Sequence, residues 1–284
     1  MQQKWGVSAR QFSIIFLVFG LTGTTTALLT RYITVWLGMD TDTYWLWKLL
    51  LRIGMLLLGY QFILLLYGAL FGQWAFFWKY EKKLLQKLGI VRHTKQIAVF
   101  ASGAGSNEEK IILYFKNHPS IKVKLVVCNK PGAGVITIAQ NQGIPVLLID
   151  KEPFFRGDSY LPFLKEQGID FIVLAGFLWK LPAALIAAYP KKILNIHPAL
   201  LPNYGGKGMY GMQVHEAVIA AGEKESGISV HLVNEHFDEG EIIFQAKCPV
   251  THNETPESLA QKIHELEYRH FPEVIEKWVK TGEM

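Results

Sequence analysis

The sequence predicts an α/β domain with a mostly parallel sheet, preceded by an apolar two-helix hairpin suited to a bilayer. Three observations predict it. From Ile97 onward, short β-rich runs alternate with helical stretches, as in strands joined by crossover helices. Before that point, residues 11–30 and 53–78 contain no charged side chain, and each stretch is long enough for a bilayer core that requires roughly 20 helical residues. Charge divides at the same place: residues 1–96 carry 11 Lys and Arg against 3 Asp and Glu, the remainder 18 against 21. The net charge of +5 thus originates in the apolar part, and the acidic remainder gives no support to nucleic acid as a partner.

The hairpin comes first. Its leading stretch carries Thr24, Thr25 and Thr26, polar for a span, although Gly20, Gly23 and threonine suit helices that pack closely in lipid. Aromatic residues stand where headgroups would lie: Trp5, then Tyr44, Trp45 and Trp47, then Trp74, Phe76, Phe77 and Trp78. Lys4, Arg10, Lys79, Lys82, Lys83, Lys87, Arg92 and Lys95 lie outside the hairpin, and the connecting turn offers only Arg31, Lys48 and Arg52. That bias puts both termini in the cytoplasm, with two spans in the inner (cytoplasmic) membrane and lipid contact through residues 11–78. Residues 78–89 read as a basic helical exit, Leu84, Leu85 and Leu88 on one side, able to lie on an anionic leaflet. A cleaved signal peptide competes with this reading, but no small-x-small site follows the first run and a second, longer run does. A buried soluble hairpin competes too, against the segment lengths. The expected domains are 1–89 and 97–284.

In the second part, strands are expected at 97–101, 123–128, 145–149, 171–174 and 193–196, and helices around 108–116, 135–142, 160–167, 182–188 and 213–221. Two long β-rich runs follow, 227–234 and 241–250, then a helix from Pro256 towards Lys280 with Thr255 as its N-cap. Cys128 and Cys248 lie in apolar strand-like runs and read as reduced thiols. Ligands of such sheets sit beyond the carboxyl ends of the strands, so the connections there carry the functional argument.

The first strand ends in Ser102-Gly103-Ala104-Gly105-Ser106-Asn107 and a helix begins at once. Glycines let the backbone approach an anion, and first-turn amides bind phosphate. The loop is a poor dinucleotide fingerprint, because Glu108 stands where the third glycine would fall and Asn129-Lys130 closes the second strand. A tight turn without ligand is the competing reading. After the fourth strand, Ala175-Gly176-Phe177-Leu178-Trp179-Lys180-Leu181-Pro182 could wall a flat heteroaromatic ligand or serve only as core. The fifth strand ends in Asn195-Ile196-His197-Pro198, and its period of two puts Asn195 and His197 on one face. Asp238 tops a turn between the two long β-rich runs.

Together these pieces resemble the phosphoribosylglycinamide formyltransferases. The match runs in order from about Ile97 to Val279: Ser-Gly-x-Gly-Ser-Asn after the first strand, Ala-Gly-Phe after the fourth, Asn-Ile-His-Pro-x-Leu-Leu-Pro after the fifth, then Val-His-x-Val followed by Asp-x-Gly. The hairpin lies outside it. The resemblance implies a Rossmann-like formyltransferase fold and transfer of a formyl group from 10-formyltetrahydrofolate, a co-substrate, to the amine of 5'-phosphoribosylglycinamide in purine biosynthesis. It also implies Asn195, His197 and Asp238 as the catalytic trio, Gly105, Ser106, Asn107 and Glu267 as substrate contacts, and Phe177, Leu178, Trp179, Lys180, Leu181 and Asn195 as the folate pocket.

The residue chemistry agrees with that assignment. Amine attack on a formyl carbon develops an oxyanion, which a protonated imidazole and an amide donor suit, and a nearby carboxylate favours the charged imidazole and helps move the amine's proton. No metal or covalent nucleophile is required. Two departures stand out. The family commonly has Met-Arg-Ile-Leu where this chain has Leu178-Trp179-Lys180-Leu181, and its cofactor-holding arginine falls at Gly157 in an ungapped match, with Arg156 one place off. The glycine-rich segment from Tyr204 to Gly211 reads as a mobile loop over the site. Rival readings are a formyltetrahydrofolate hydrolase, another amine formyltransferase, and a membrane scaffold or folate sensor without turnover. A homo-oligomer and purine-pathway enzymes are the protein partners left open.

Overall fold

The computed structural model describes residues 7–39, 45–90, 94–157 and 159–281, so Lys4, Trp5, Tyr44 and Arg92 lie outside the described residues. The chain divides into two compact units, Met1–His93 and Thr94–Met284.

In the first unit, helix α1 (Ala9–Trp36) is capped by Ser8, whose hydroxyl accepts from the Gln11 amide at 3.2 Å. A second rod runs through α2 (Trp45–Gly54), a π-helical turn (Met55–Gly59) and α3 (Tyr60–Leu70). The two rods meet through Ile15, Val18 and Leu64, with Phe77 of the following helix (Trp74–Lys87) packed against them, all buried, and through a hydrogen bond between the Thr25 and Tyr67 hydroxyls at 2.9 Å. Thr22, Thr26, Thr30 and Thr34 each donate their hydroxyl hydrogen to the carbonyl one turn back, at 2.6–2.7 Å. Threonine is therefore compatible with this helix because its polar hydrogen is satisfied within it.

The charge-free run 53–78 is not one helix, in contrast to the sequence expectation. Gly72 at φ +67° ends α3, the Gln73 amide donating back to Gly68 O, and Trp74 opens a separate helix α4 (Trp74–Lys87). The basic exit thus starts four residues before the expected position 78, because a glycine stop inside an apolar run carries no change in polarity to announce it.

In the second unit, strands and helices alternate: β1 (Lys95–Ala101), α5 (Ser106–Phe115), β2 (Ile121–Cys128), α6 (Gly134–Asn141), β3 (Val146–Leu148), α7 (Lys151–Arg156), α8 (Leu161–Glu166), β4 (Phe171–Leu174), α9 (Ala183–Ala188) and β5 (Ile193–His197). Then come α10 (Met212–Ala220), β6 (Glu225–Leu232), β7 (Ile242–Pro249) and the long α11 (Pro256–Thr281). The sheet order is β3-β2-β1-β4-β5-β6-β7, parallel as far as β5 and antiparallel at β6 and β7. Strand order reverses between β1 and β4, which opens a crevice at their carboxyl ends.

Alternation along β1 builds both layers. Ile97, Val99 and Ala101 face the core under α5, α6 and α11, while Ala98 and Phe100 face the core with Phe154, Leu164 and Leu185. Thr255 caps α11 as expected, its hydroxyl accepting from the Ser258 amide at 3.2 Å while the Ser258 hydroxyl accepts from the Thr255 amide at 3.0 Å. Cys128 and Cys248 are free thiols. The short α7, with Pro153 in its first turn, was not expected from the pattern.

Candidate active site

The site starts from β5. Flanked by β4 and β6, the strand is buried, and its two polar side chains share one face. Because β6 runs antiparallel, His231 stands opposite Asn195 and Ser229 opposite His197, on that same face. The segment between β6 and β7 folds back over the pair and delivers Asp238, held at φ +56°, a left-handed conformation that aspartate tolerates better than most residues. Two residues on, a Cβ at Gly240 would sit 1.6 Å from Leu232 O, so only glycine permits this return.

Asp238 gathers the others. Its Oδ1 accepts from Asn195 Nδ2 at 3.3 Å and lies 3.5 Å from His231 Nε2. Its Oδ2 accepts from the Gly206 amide at 2.9 Å and lies 3.6 Å from His197 Nδ1. His197 Nε2 donates to the Tyr204 carbonyl at 2.7 Å; a carbonyl only accepts, so Nε2 carries a hydrogen and Nδ1 is the atom that titrates. By the same logic His231 Nδ1 donates to Leu232 O at 2.9 Å, leaving Nε2 to accept from Asn195 Nδ2 at 3.0 Å. Both amide hydrogens of Asn195 are thereby engaged. Ser229 Oγ donates to Ala199 O at 2.7 Å and accepts from the Leu201 amide at 2.9 Å, which fixes the chain leaving β5.

Burial governs the electrostatics. The sequence reading has Asp238 favouring a charged His197; in the structure, burial lowers the imidazole below its ordinary value and outweighs the opposing pull of Asp238 and the Tyr204 carbonyl. At Asp238 burial acts to raise the carboxyl, yet its imidazole neighbours His231 and His197 and the Gly206 amide hydrogen bond together bring it below the usual carboxylate value. The pair is therefore an ionised Asp238 beside an imidazole that favours neutrality.

The phosphate-loop residues lie at the start of α5. Gly105 adopts φ +90° and approaches α6 so closely that a Cβ would meet Val135 Cα at 2.7 Å. Ser106 and Asn107 open the helix, with first-turn amides that no helical carbonyl can engage. Asn107 Nδ2 donates to Glu267 Oε2 at 2.9 Å, and the same oxygen is 2.9 Å from His264 Nδ1, so the loop is tied to α11. The Glu267 hydrogen bond raises His264. Beside them Glu108 is buried, and burial pushes its carboxyl up to about 8, with Glu267 adding to the effect against the pull of its own backbone amide.

The expected folate segment divides in two. Phe177 and Leu181 are buried, the Phe177 ring edge-on to Phe100 at 5.3 Å and to Phe154 at 5.8 Å. Leu178 is 52 % exposed, its amide donating to Ser102 Oγ at 3.0 Å. Trp179 leans on Phe154 and Phe155, and Lys180 Nζ lies 5.7 Å from the Phe237 ring centre. Leu178, Trp179 and Lys180 can therefore border a ligand, whereas Phe177 and Leu181 hold the wall from behind. Arg156 is largely exposed at the end of α7, 3.9 Å from Glu152. Among the described residues no group of three or more His, Cys, Asp or Glu is arranged to hold a metal ion.

Three residues were missed by the sequence reading. His231 and Ser229 follow from two-residue alternation once β6 is paired with β5. His215 on α10 is 3 % exposed, its Nδ1 lacks a hydrogen-bond partner, and burial lowers it, with His264, Glu267 and His197 as its charged surroundings. It lies among the residues linking the trio to the phosphate loop. A histidine between Val214 and Val218 on a buried helix face was the available signal.

Comparison with known proteins separates the two parts of the chain. Residues 95–275 match the formyl transferase family, and residues 14–92 match a family of unknown function. The chain is 42 % identical over 193 residues to the chloroplastic phosphoribosylglycinamide formyltransferase of Arabidopsis thaliana, covering 64 % of each. It therefore spans slightly less than two thirds of the length of that plant relative. To the phosphoribosylglycinamide formyltransferase of Bacillus subtilis it is 36 % identical over 188 residues, 64 % of this chain and 94 % of the relative. The crystal structure of phosphoribosylglycinamide formyltransferase from Bacillus halodurans superposes with a TM-score of 0.61 at 36 % identity, over 66 % of this chain and 97 % of that one.

Proposed function

The chain belongs to the formyl transferase family, and on that premise we propose that its second unit transfers the formyl group of 10-formyltetrahydrofolate to the amine of 5'-phosphoribosylglycinamide. The observation that carries the reading is the convergence of Asn195, His197 and His231 on the single carboxylate of Asp238. The fit to a folate rests on Leu178 and Trp179, presented on a wall braced by Phe100, Phe154 and Phe177, beside the polar pair on β5. Gly105, Ser106 and Asn107 hold the substrate phosphate, and Glu267 takes its ribose end.

Attack of the amine places negative charge on the formyl oxygen. That charge raises the proton affinity of the nearby imidazole and offsets the burial that favours its neutral form, so His197 takes a proton from solvent at Nδ1, beside Asp238, and gives it back when the oxyanion collapses. Asn195 serves the same oxygen by releasing one of its two engaged hydrogens. Asp238 accepts the amine's proton, directly or through water, and returns it to the leaving nitrogen. Loss of one such donor costs about a hundred- to a thousandfold in turnover.

The test is release of tetrahydrofolate by the full chain with and without the amine. Release that depends on phosphoribosylglycinamide is expected, with His197→Ala slower by about a hundredfold or more. Release independent of the amine would instead identify a hydrolase, a reaction with no use for the phosphate loop.

For the first unit we propose two crossings of the inner membrane with both termini and the second unit in the cytoplasm. α1 and the second rod, at 28 and 26 residues, are about 42 and 39 Å long against a hydrocarbon core of about 30 Å. Their outward surfaces carry Phe16, Leu17, Leu57, Leu58, Phe62 and Leu66, each about half exposed or more, which water disfavours and acyl chains accept. Trp36, Trp45 and Trp47 stand exposed at one end, Trp74 and Trp78 at the other, next to exposed Lys79, Lys82 and Lys83. Protein that stays in the supernatant after cell lysis without detergent would sink this reading.

A further inference from the structure

We propose that the first unit binds a phosphodiester amphiphile, an anionic phospholipid, in a cleft between the second half of α1 and the α2–π segment. The inference rests on the two-span reading above. The cleft holds about 780 Å³ and is lined among others by Thr26, Thr30, Arg31, Lys48, Arg52 and Leu56. That volume lies within the range of about 300–1,000 Å³ typical of small-molecule sites.

Charge decides what such a cleft selects. Arg31, Lys48 and Arg52 converge on it from both rods, no carboxylate is among its described lining residues, and none of the three forms an ion pair with a described residue. Cations near the end of a span are costly in lipid unless they reach an anion or the headgroup layer. Arg31 and Arg52 can grip a phosphate with paired N–H donors, and Lys48 adds a point charge. The cleft's lining reaches Thr34, Val35 and Lys48, next in sequence to the exposed Trp36 and Trp47, residues of the kind that stand at the level of phospholipid phosphates.

The remaining lining fits the rest of such a molecule. Thr26, Thr30 and Thr34 spend their hydroxyl hydrogens on their own helix, so toward the cleft they offer only oxygen lone pairs, which suits the hydroxyls of a glycerol headgroup. Ala27, Val35 and Leu56 supply apolar walls, and the lipid-facing leucines beside them continue that surface outward for acyl chains. The π-helical turn Met55–Gly59 lies in the wall itself, a local widening of the kind that recurs at functional sites.

The experiment is native mass spectrometry of the full chain in neutral detergent, titrated separately with phosphatidylglycerol, phosphatidylcholine and inorganic phosphate. The expected result is an adduct with phosphatidylglycerol at about tenfold lower concentration than with phosphatidylcholine, a difference of about 1.4 kcal/mol. The Arg31→Gln, Arg52→Gln double variant should lose that preference, Leu56→Trp should weaken the adduct by filling the cleft without touching its charge, and Arg10→Gln, outside the cleft, should keep it. Equal binding of the two lipids overturns the inference, as does a double variant that binds phosphatidylglycerol like the wild type. Displacement by inorganic phosphate at matching concentration would assign the site to a soluble anion and overturn the lipid. A chain that fractionates with membranes but shows no preference defeats this inference alone, whereas one that needs no membrane defeats the two-span reading as well.

Discussion

The carbonyl of Tyr204 and the imidazole of His197 are joined by a 2.7 Å hydrogen bond that fixes which ring nitrogen can change its charge. With Nε2 committed, every protonation event at His197 occurs at Nδ1, on the side of Asp238. The Gly206 amide also binds Asp238, so the glycine-rich segment that begins at Tyr204 holds both members of the pair.

Replacing Asp238 with Asn removes the main force opposing burial at His197. The imidazole, already below its ordinary value, should move lower still. An NMR titration of the His197 ring protons in both forms checks the direction, and an unchanged or higher value in Asp238→Asn would contradict the assigned electrostatics.

Glu108 sets a dependence of stability on pH. Its carboxyl titrates near 8 in the folded chain against about 4.5 when unfolded, so it keeps its proton after the unfolded form has lost it. Its contribution is complete below about pH 4.5 and declines as pH rises toward 8 by about 1.4 kcal/mol per unit. Glu108→Gln has no such proton to lose. Its thermal midpoint relative to wild type should therefore climb between pH 5 and pH 8 and then level off.

Asn107 ties the phosphate loop to Glu267 through one hydrogen bond. Asn107→Ala removes it while leaving Glu267 its contact with His264. We expect KM for the phosphate-bearing substrate to rise about tenfold, the equivalent of a bond worth about 1.4 kcal/mol, with kcat nearly unchanged. Steady-state kinetics separates the two parameters.

Gly240→Ala should act on both stability and chemistry. The added carbon would overlap Leu232 O, which accepts the His231 hydrogen bond, so the turn carrying Asp238 must shift. A loss of about 3 kcal/mol or more in stability is expected, together with at least about a hundredfold in turnover. Thermal denaturation and activity at a permissive temperature distinguish the effects.

Much of the α/β unit was legible because its strands are short, apolar and separated by amphipathic helices, so β4, β5 and α11 lie where periodicity puts them. The six-residue α7 escaped because it is shorter than two turns and has a proline in the first. In the first unit the apolar composition itself concealed the stop at Gly72. Within the site, the facing of Asn195 and His197 followed from the period of two alone. The arrival of Asp238 did not, since nothing local in a turn aspartate reveals which strand it folds over, and its place came through resemblance to a family. Glu108 and His215 stayed hidden for a related reason: a charged or polar residue on a helix is read as solvent-facing until the partner surface is known.

Sheet order also sets the sequence in which this unit becomes competent during synthesis. Pairing of β1 to β5 requires no residue beyond His197, and the glycine turn at the start of α5 is complete by then. Asp238 and the antiparallel edge emerge from the ribosome later, and Glu267 later again. On the proposed assignment, the loop that would take an anion and the carboxylate that would serve formyl transfer are thus installed at different moments of translation.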